Sequence, residues 1–379
     1  MQQCLPGQGH RDGERMKTME GSIAIAEVVS RCDPDLVACF PITPSTHIAE
    51  HLDKLYTDGK IREYVAVDSE FAAISTIVGG SAAGGRVFST TASQGLALMH
   101  EVLFTAAGMR LPVVMVVANR TLSAPLGIWN DHSDTMAERD SGWYQLYAAT
   151  NQEAVDSVVQ MFKLSEATMI PGMVNIDGFY LTHLIEQIDI PSEQIIKQFL
   201  PPFKPPVKLD PDNPLALGVY TLPKDYPQFR EDLHADLQKS QEKIKKIHDE
   251  WAKLTGRRYG NGLWEEYMVE DADVVMVMIG SLFGNAQEAV DALRREGVRA
   301  GALRLRFFRP FPDGVARRLE GKRVIVIEKV LSPGAHPPLY TELLAQAYEE
   351  GIQFNARSVV KGLGGQDVPV HLLMDLVKQ

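Results

Sequence analysis

The sequence predicts an α/β protein built from a mostly parallel sheet domain followed by a second, smaller α/β unit. Strand-like and helix-like segments alternate from Ser22 to about Ile190, which favours parallel pairing through crossover helices. Runs such as "LPVVMVVA" and "VVMVMIG" are apolar at every position, as expected of strands covered on both faces. A proline-rich stretch, "PPFKPPVKLDPDNP" at 201–214, then interrupts the alternation before it resumes.

In chain order, the apolar spacing predicts a helix at 22–31, a strand at 36–40, a helix at 45–56, and a strand at 63–67. A helix at 69–83 follows. Its N-cap is Asp68 or Ser69, and its small residues, "GGSAAGG", allow close backbone approach. Next come a strand at 87–91, a helix at 94–108, and strands at 112–118 and 145–148. A helix at 151–167 and a strand at 173–176 complete the set. Residues 201–214 read as an extended linker. Beyond it Phe229, Leu233, Leu237, Ser240, Ile244, Ile247, Trp251 and Leu254 recur every three or four residues, predicting one long amphipathic helix stopped by Gly256. The second unit places strands at 273–279, 299–305, 323–328 and 356–361. The resulting division is 1–19 as a disordered extension, 20–200 as the first domain, 201–262 as linker and helix, and 263–379 as the second domain.

The chain has 379 residues and 38 basic against 49 acidic side chains, a net charge of −11. No basic face suited to nucleic acid is implied. The apolar runs fall short of the about 18 residues a membrane span needs. The first twenty residues lack the apolar core of a signal peptide, which with few cysteines points to the cytoplasm. The three cysteines, Cys4, Cys32 and Cys39, cannot hold an iron–sulfur cluster, and Cys32 and Cys39 are expected in the core.

Open α/β sheets bind ligands beyond the carboxyl ends of their strands. There the sequence places "PITPST", "DSE", "ASQG" and "NRTLS". Thr43, Glu70, Ser93, Gln94 and Arg120 would therefore share one edge. Each has an ordinary structural alternative: a turn hydroxyl at Thr43, a first-turn acid at Glu70, an ion pair from Arg120 to Glu138 or Asp140. "NDHSD" at 130–134 has no standard metal spacing, and Thr135 with Glu138 reads as a capping box.

Taken in order, "FPITPST", "DSEFAA", "TTASQGLALM", "VVANR", "DHSDTMAERDSGW" and "DGFYLTH" resemble the α subunits of multi-subunit pyruvate:ferredoxin oxidoreductases (pyruvate synthases). These belong to the 2-oxoacid:ferredoxin oxidoreductase family. "LRLRFFRPFP" and "GLGGQDV" extend the likeness into the second unit. The resemblance implies a pyrimidine-binding module of a thiamine diphosphate site, followed by a transketolase C-terminal-like domain without a cofactor. It gives Glu70 the role of the carboxyl that shares a proton with the aminopyrimidine ring in a dry pocket, with Ser93 and Gln94 lining that pocket. Thr43 and Arg120 would bind the 2-oxoacid, and Asn119 would shape the loop. Phe40 and the pair Ser45–Thr46 stand where many relatives carry tyrosine and two serines. No "GDG" magnesium–diphosphate motif is present. A β subunit is therefore expected to hold the diphosphate and magnesium, with γ and δ subunits supplying [4Fe-4S] clusters and coenzyme A binding, and ferredoxin as acceptor. Another 2-oxoacid, a transketolase-like half enzyme, or a scaffold subunit remain as alternatives.

Overall fold

The computed structural model describes residues 16–379. Cys4 and most of the expected N-terminal extension lie outside them. The chain begins with β1 (Lys17–Glu20), α1 (Gly21–Arg31), β2 (Leu36–Cys39), α2 (Thr46–Thr57), β3 (Tyr64–Ala66) and α3 (Glu70–Ala82). It continues with β4 (Val87–Thr91), α4 (Ser93–Gly108), β5 (Val114–Asn119), α5 (Ser133–Ala137), β6 (Tyr144–Tyr147), α6 (Asn151–Thr168) and β7 (Gly172–Asp177). β8 (Ile185–Ile188) and α7 (Glu193–Phe199) close this half, and α8 (Tyr226–Lys239) and α9 (Gln241–Thr255) follow the linker. The rest comprises β9 (Trp264–Tyr267), β10 (Val274–Ile279), α10 (Leu282–Arg295), β11 (Ala300–Leu305), β12 (Phe307–Arg309), β13 (Arg323–Glu328), α11 (Pro338–Glu350), β14 (Asn355–Val360) and α12 (Val370–Lys378).

The larger sheet has seven strands in the order β12-β6-β7-β5-β4-β2-β3. All its pairings are parallel except that of β12 with β6. Helices cover both faces, so β4 and β5 are buried at every residue. The second sheet has five strands, β14-β13-β10-β11-β9, with β9 antiparallel at its edge. Cys32 and Cys39 sit in the core, where burial pushes both thiols up to about 12. Gly80 faces Leu36 of β2 so closely that a Cβ there would meet its Cδ2 at 2.6 Å, the close approach expected of the small residues. No helix among the described residues is long and apolar enough to cross a membrane.

Four sequence expectations need correction. Disorder does not extend through residue 19, because Lys17–Glu20 pairs antiparallel with Ile185–Ile188. Both strands lack apolar alternation: they pair through their backbones and send only Met19 and Ile188 toward the core. The long helix is two helices that meet at Ser240, whose hydroxyl donates to the Leu237 carbonyl at 2.6 Å and competes with the helical ladder. The first of them buries only Leu233. Thr135 and Glu138 form no capping box. Thr135 lies inside α5 and its hydroxyl accepts from Asn119 Nδ2 and the Tyr147 phenol, while Glu138 bonds His100 at 2.7 Å. Finally, "LRLRFFRPFP" is not wholly of the second unit. Leu305 ends β11, whereas Phe307–Arg309 crosses to extend the first sheet beside β6.

Candidate active site

The carboxyl ends of β2, β3, β4 and β5 form one rim, and the turn or helix after each strand presents one polar group of interest. After β3, Ser69 caps α3, its hydroxyl accepting from the Ala72 amide at 3.2 Å. Glu70 then opens the helix, where the helix dipole favours a carboxylate. It is 7% exposed, and its side chain has no hydrogen-bond or ion-pair partner among the described residues. Its location is fixed by Gly95 in the first turn of α4, where a Cβ would stand 2.6 Å from Glu70 Oε1 and 2.5 Å from Thr91 Oγ1. The Thr91 hydroxyl is likewise buried and unpartnered. Two polar groups thus face one spot beside Gly95 and have no hydrogen-bond partner among the described residues.

The exposed surface of the elements that flank Glu70 is mixed, with Asp68 and Gln94 beside several apolar side chains. Val65 on edge strand β3, Phe71 on α3 and Leu98 on α4 are exposed, beside the small residues Ala66 and Ala97.

Arg120 follows β5. Its Nε donates to the Gly127 carbonyl at 3.0 Å and its terminal NH1 group to the Thr43 carbonyl at 2.9 Å. The ion pair to Glu138 or Asp140 that its sequence position allowed does not form. Glu138 faces His100, and Asp140 faces Arg139 and Arg309. Burial without a carboxylate in contact lowers the guanidinium pKa, with the charge of Asp134 opposing the shift. Thr43 is joined directly to Arg120 through its backbone, and its side chain lies in the same turn.

Ser93, the first residue of α4, is fully buried with a left-handed φ of +48°. Its hydroxyl reaches the Thr121 carbonyl and, at 2.8 Å, the Gln94 side-chain oxygen. Gln94 is exposed, and that same oxygen accepts from the Ser123 amide at 3.0 Å. Gln94 therefore reaches the loop after β5 rather than Glu70.

Two buried clusters escaped the sequence reading. Asp134 lies behind the rim and accepts from the amides of Ser93 and Arg120. Burial pushes its carboxyl up to about 6 against the pull of those donors and of Asn119. Farther back, Asp177 at the end of β7 accepts from Lys329 Nζ at 2.9 Å and lies 2.7 Å from His132 Nε2. Burial alone would raise its pKa, but Lys329 and His132 hold it well below the usual carboxylate range. The Ser281 amide, in the glycine-containing loop before α10, donates to the same carboxylate at 3.0 Å, so an internal group occupies that helix start. The partners of both clusters lie far apart in sequence, and no local pattern announces them.

Two further features lie apart from the rim residues. Glu20, His47 and His183 gather with one donor atom each, all within 4.8 Å of one another. His47 already bonds Glu20 at 2.7 Å and its ring packs on His183 at 4.8 Å. A cleft of about 300 Å³ between the two sheet units is lined by Tyr180, Ser281, Asn285, Lys329 and Val368 among others. It includes none of the rim residues.

Residues 27–249 match the family model described as pyruvate flavodoxin/ferredoxin oxidoreductase, thiamine diphosphate-binding, and residues 272–373 match pyruvate:ferredoxin oxidoreductase core domain II. Pyruvate synthase subunit PorA of Methanosarcina barkeri is 41% identical over 373 residues, 97% of this chain and 92% of that one. PorA of Thermotoga maritima is 41% identical over 361 residues, covering 93% and 91%. Ketoisovalerate oxidoreductase subunit VorA of Pyrococcus horikoshii is 38% identical over 361 residues, covering 94% and 91%. Among solved structures, 2-oxoglutarate:ferredoxin oxidoreductase from Magnetococcus marinus superposes with a TM-score of 0.70 at 20% identity. That match covers 96% of this chain but only 65% of the other, and it speaks for the fold alone.

Proposed function

This chain belongs to the pyruvate flavodoxin/ferredoxin oxidoreductase family, and from that premise we propose that it is the α subunit of a pyruvate synthase complex, supplying one wall of a shared thiamine diphosphate site. The observation that carries the reading is Glu70, a buried carboxyl with no partner, aimed over a glycine whose missing Cβ leaves it room. A flat ring nitrogen entering there would complete it. When bound, thiamine diphosphate supplies the carbon nucleophile that attacks the 2-oxoacid carbonyl. Glu70 holds a proton at the pyrimidine ring nitrogen, in a pocket whose apolar walls strengthen that hydrogen bond. Arg120 offers the remaining donors of its planar fork to the substrate carboxylate, and the Thr43 hydroxyl bonds the carboxylate or carbonyl beside it.

The net reaction is oxidative decarboxylation of pyruvate with coenzyme A to acetyl-CoA and carbon dioxide, two electrons passing to ferredoxin, or the reverse. The chain has three cysteines and no "GDG" motif. Magnesium, the diphosphate and the clusters accordingly fall to partner chains: a β subunit for the first two, and γ and δ subunits for clusters and coenzyme A. Exposed Val65, Phe71 and Leu98 mark where the β subunit would close the pocket. A cytoplasmic complex fits these features. A second reading, a branched-chain 2-oxoacid as substrate, is favoured by the VorA relative, nearly as similar as the PorA chains.

The test is anaerobic purification of the native complex and assay of 2-oxoacid- and coenzyme A-dependent viologen reduction. Pyruvate is expected to be the preferred substrate. Preference for 2-oxoisovalerate would move the assignment to the second reading, and a chain without cluster-bearing partners would defeat both. In the same complex, Glu70→Gln is expected to lower turnover by about 10²–10⁴.

A further inference from the structure

Asp134, the second residue of the short α5, is 1% exposed and accepts four N–H donors. Its Oδ2 takes the Ser93 and Arg120 amides, each at 3.0 Å. Its Oδ1 takes Asn119 Nδ2 at 2.9 Å and the Thr135 amide at 2.8 Å. One oxygen therefore bridges the start of α4 to the residue after β5.

Both bridged residues matter to the rim. Ser93 holds a left-handed φ of +48°, a conformation that L-residues with a Cβ adopt at a cost and that persists only when its surroundings enforce it. Two residues on, Gly95 receives the Glu70 carboxyl. On the other side, Arg120 reaches from its anchored amide to the Thr43 carbonyl. Asp134 touches neither Glu70 nor the guanidinium, yet it stands between the backbone segments that place them.

We propose that Asp134 is a positioning residue: its carboxylate clamps the strained Ser93 turn to the end of β5 and so fixes the spacing between the Glu70 pocket and the Arg120 fork. The proposal rests on the function given above. It assigns the two halves of the rim, cofactor side and substrate side, to one buried anchor. Losing the Ser93 half loosens cofactor binding, and losing the Arg120 half loosens the 2-oxoacid.

The experiment uses the complex with its partner chains. Asp134→Leu removes both acceptors at similar volume. The thiamine diphosphate Kd, read by titrating cofactor-depleted complex, and the KM for the 2-oxoacid are each expected to rise about 10–100-fold. With cofactor and 2-oxoacid saturating, kcat is expected to fall less than either constant rises, because the Asp134 carboxylate touches neither Glu70 nor the guanidinium. Unchanged Kd and KM in an assembled Asp134→Leu complex would overturn the clamp. Should the leucine variant not assemble, Asp134→Asn, with a neutral acceptor, carries the same test at about 3–10-fold, and no change there would also overturn it. A wild-type complex inactive on every 2-oxoacid would sink the function instead, and the cofactor Kd would still report on the clamp.

Discussion

Arg120 commits two donors to backbone carbonyls on different loops. It is thus a strut across the rim. Lysine can replace the charge but not the planar set of donors. Arg120→Lys is therefore expected to raise the KM for the 2-oxoacid with a smaller effect on kcat, and steady-state kinetics of the complex would show an unaltered KM if no carboxylate binds there. Glu70 and Arg120 are legible because short motifs place each directly after a strand. Asp134 is not, because its acceptors face backbone amides 41 and 14 residues away, and an amide carries no side-chain signature.

Among the elements, α4 shows local preference yielding to the site. Alanine is a better helix former than glycine by about 1 kcal/mol, so Gly95 looks like a defect in its helix. The Cβ that would repair it stands 2.6 Å from Glu70 Oε1. Gly95→Ala should therefore cost cofactor affinity and turnover, and, because the Cβ also meets the buried Thr91 Oγ1 at 2.5 Å, it should lower the melting temperature of the complex despite the better helix former. Gly284→Ala in α10, where the Cβ meets nothing within 4 Å, serves as the control and should leave affinity and turnover unaltered. Wild-type affinity in Gly95→Ala would show that the Glu70 carboxyl is not confined by α4. The apolar strands were readable from composition alone, since burial on both faces demands it. β1, β8 and β12 were not. The first two pair through backbone and carry only Met19 and Ile188 toward the core, and β12 follows β11 so closely that nothing in the run "LRLRFFR" marks the change of sheet.

At the scale of the molecule, the two units are locked by charge as well as by β12. Glu153 at the start of α6 receives Arg304 Nη2 at 2.7 Å and Arg306 Nε at 2.5 Å, with all three side chains within 2% of full burial. The arginines hold its carboxyl below the ordinary value although burial acts to raise it. Removing the charge leaves two guanidinium groups short of a partner, so Glu153→Ala is expected to cost about 3–5 kcal/mol, measured by denaturant unfolding. A loss under 1 kcal/mol would mean that Glu265 and the Gly262 carbonyl, which also hold these arginines, suffice. The second unit also grips the segment carrying Asp134: the His132 amide donates to the Lys329 carbonyl at 2.9 Å and the Gly365 amide to the Asn130 carbonyl at 2.7 Å. By itself the sequence determined the α/β class, the buried strands, the rim on which Thr43, Glu70, Ser93 and Arg120 sit, and the family resemblance, because hydrophobic period and turn chemistry are local. Only the tertiary structure decided that Glu70 is unpartnered over Gly95, that Asp134 joins the two halves of the rim, and that the second unit braces the first. Those facts depend on groups distant in sequence meeting where water is excluded, and there a single hydrogen bond or missing Cβ has its full effect.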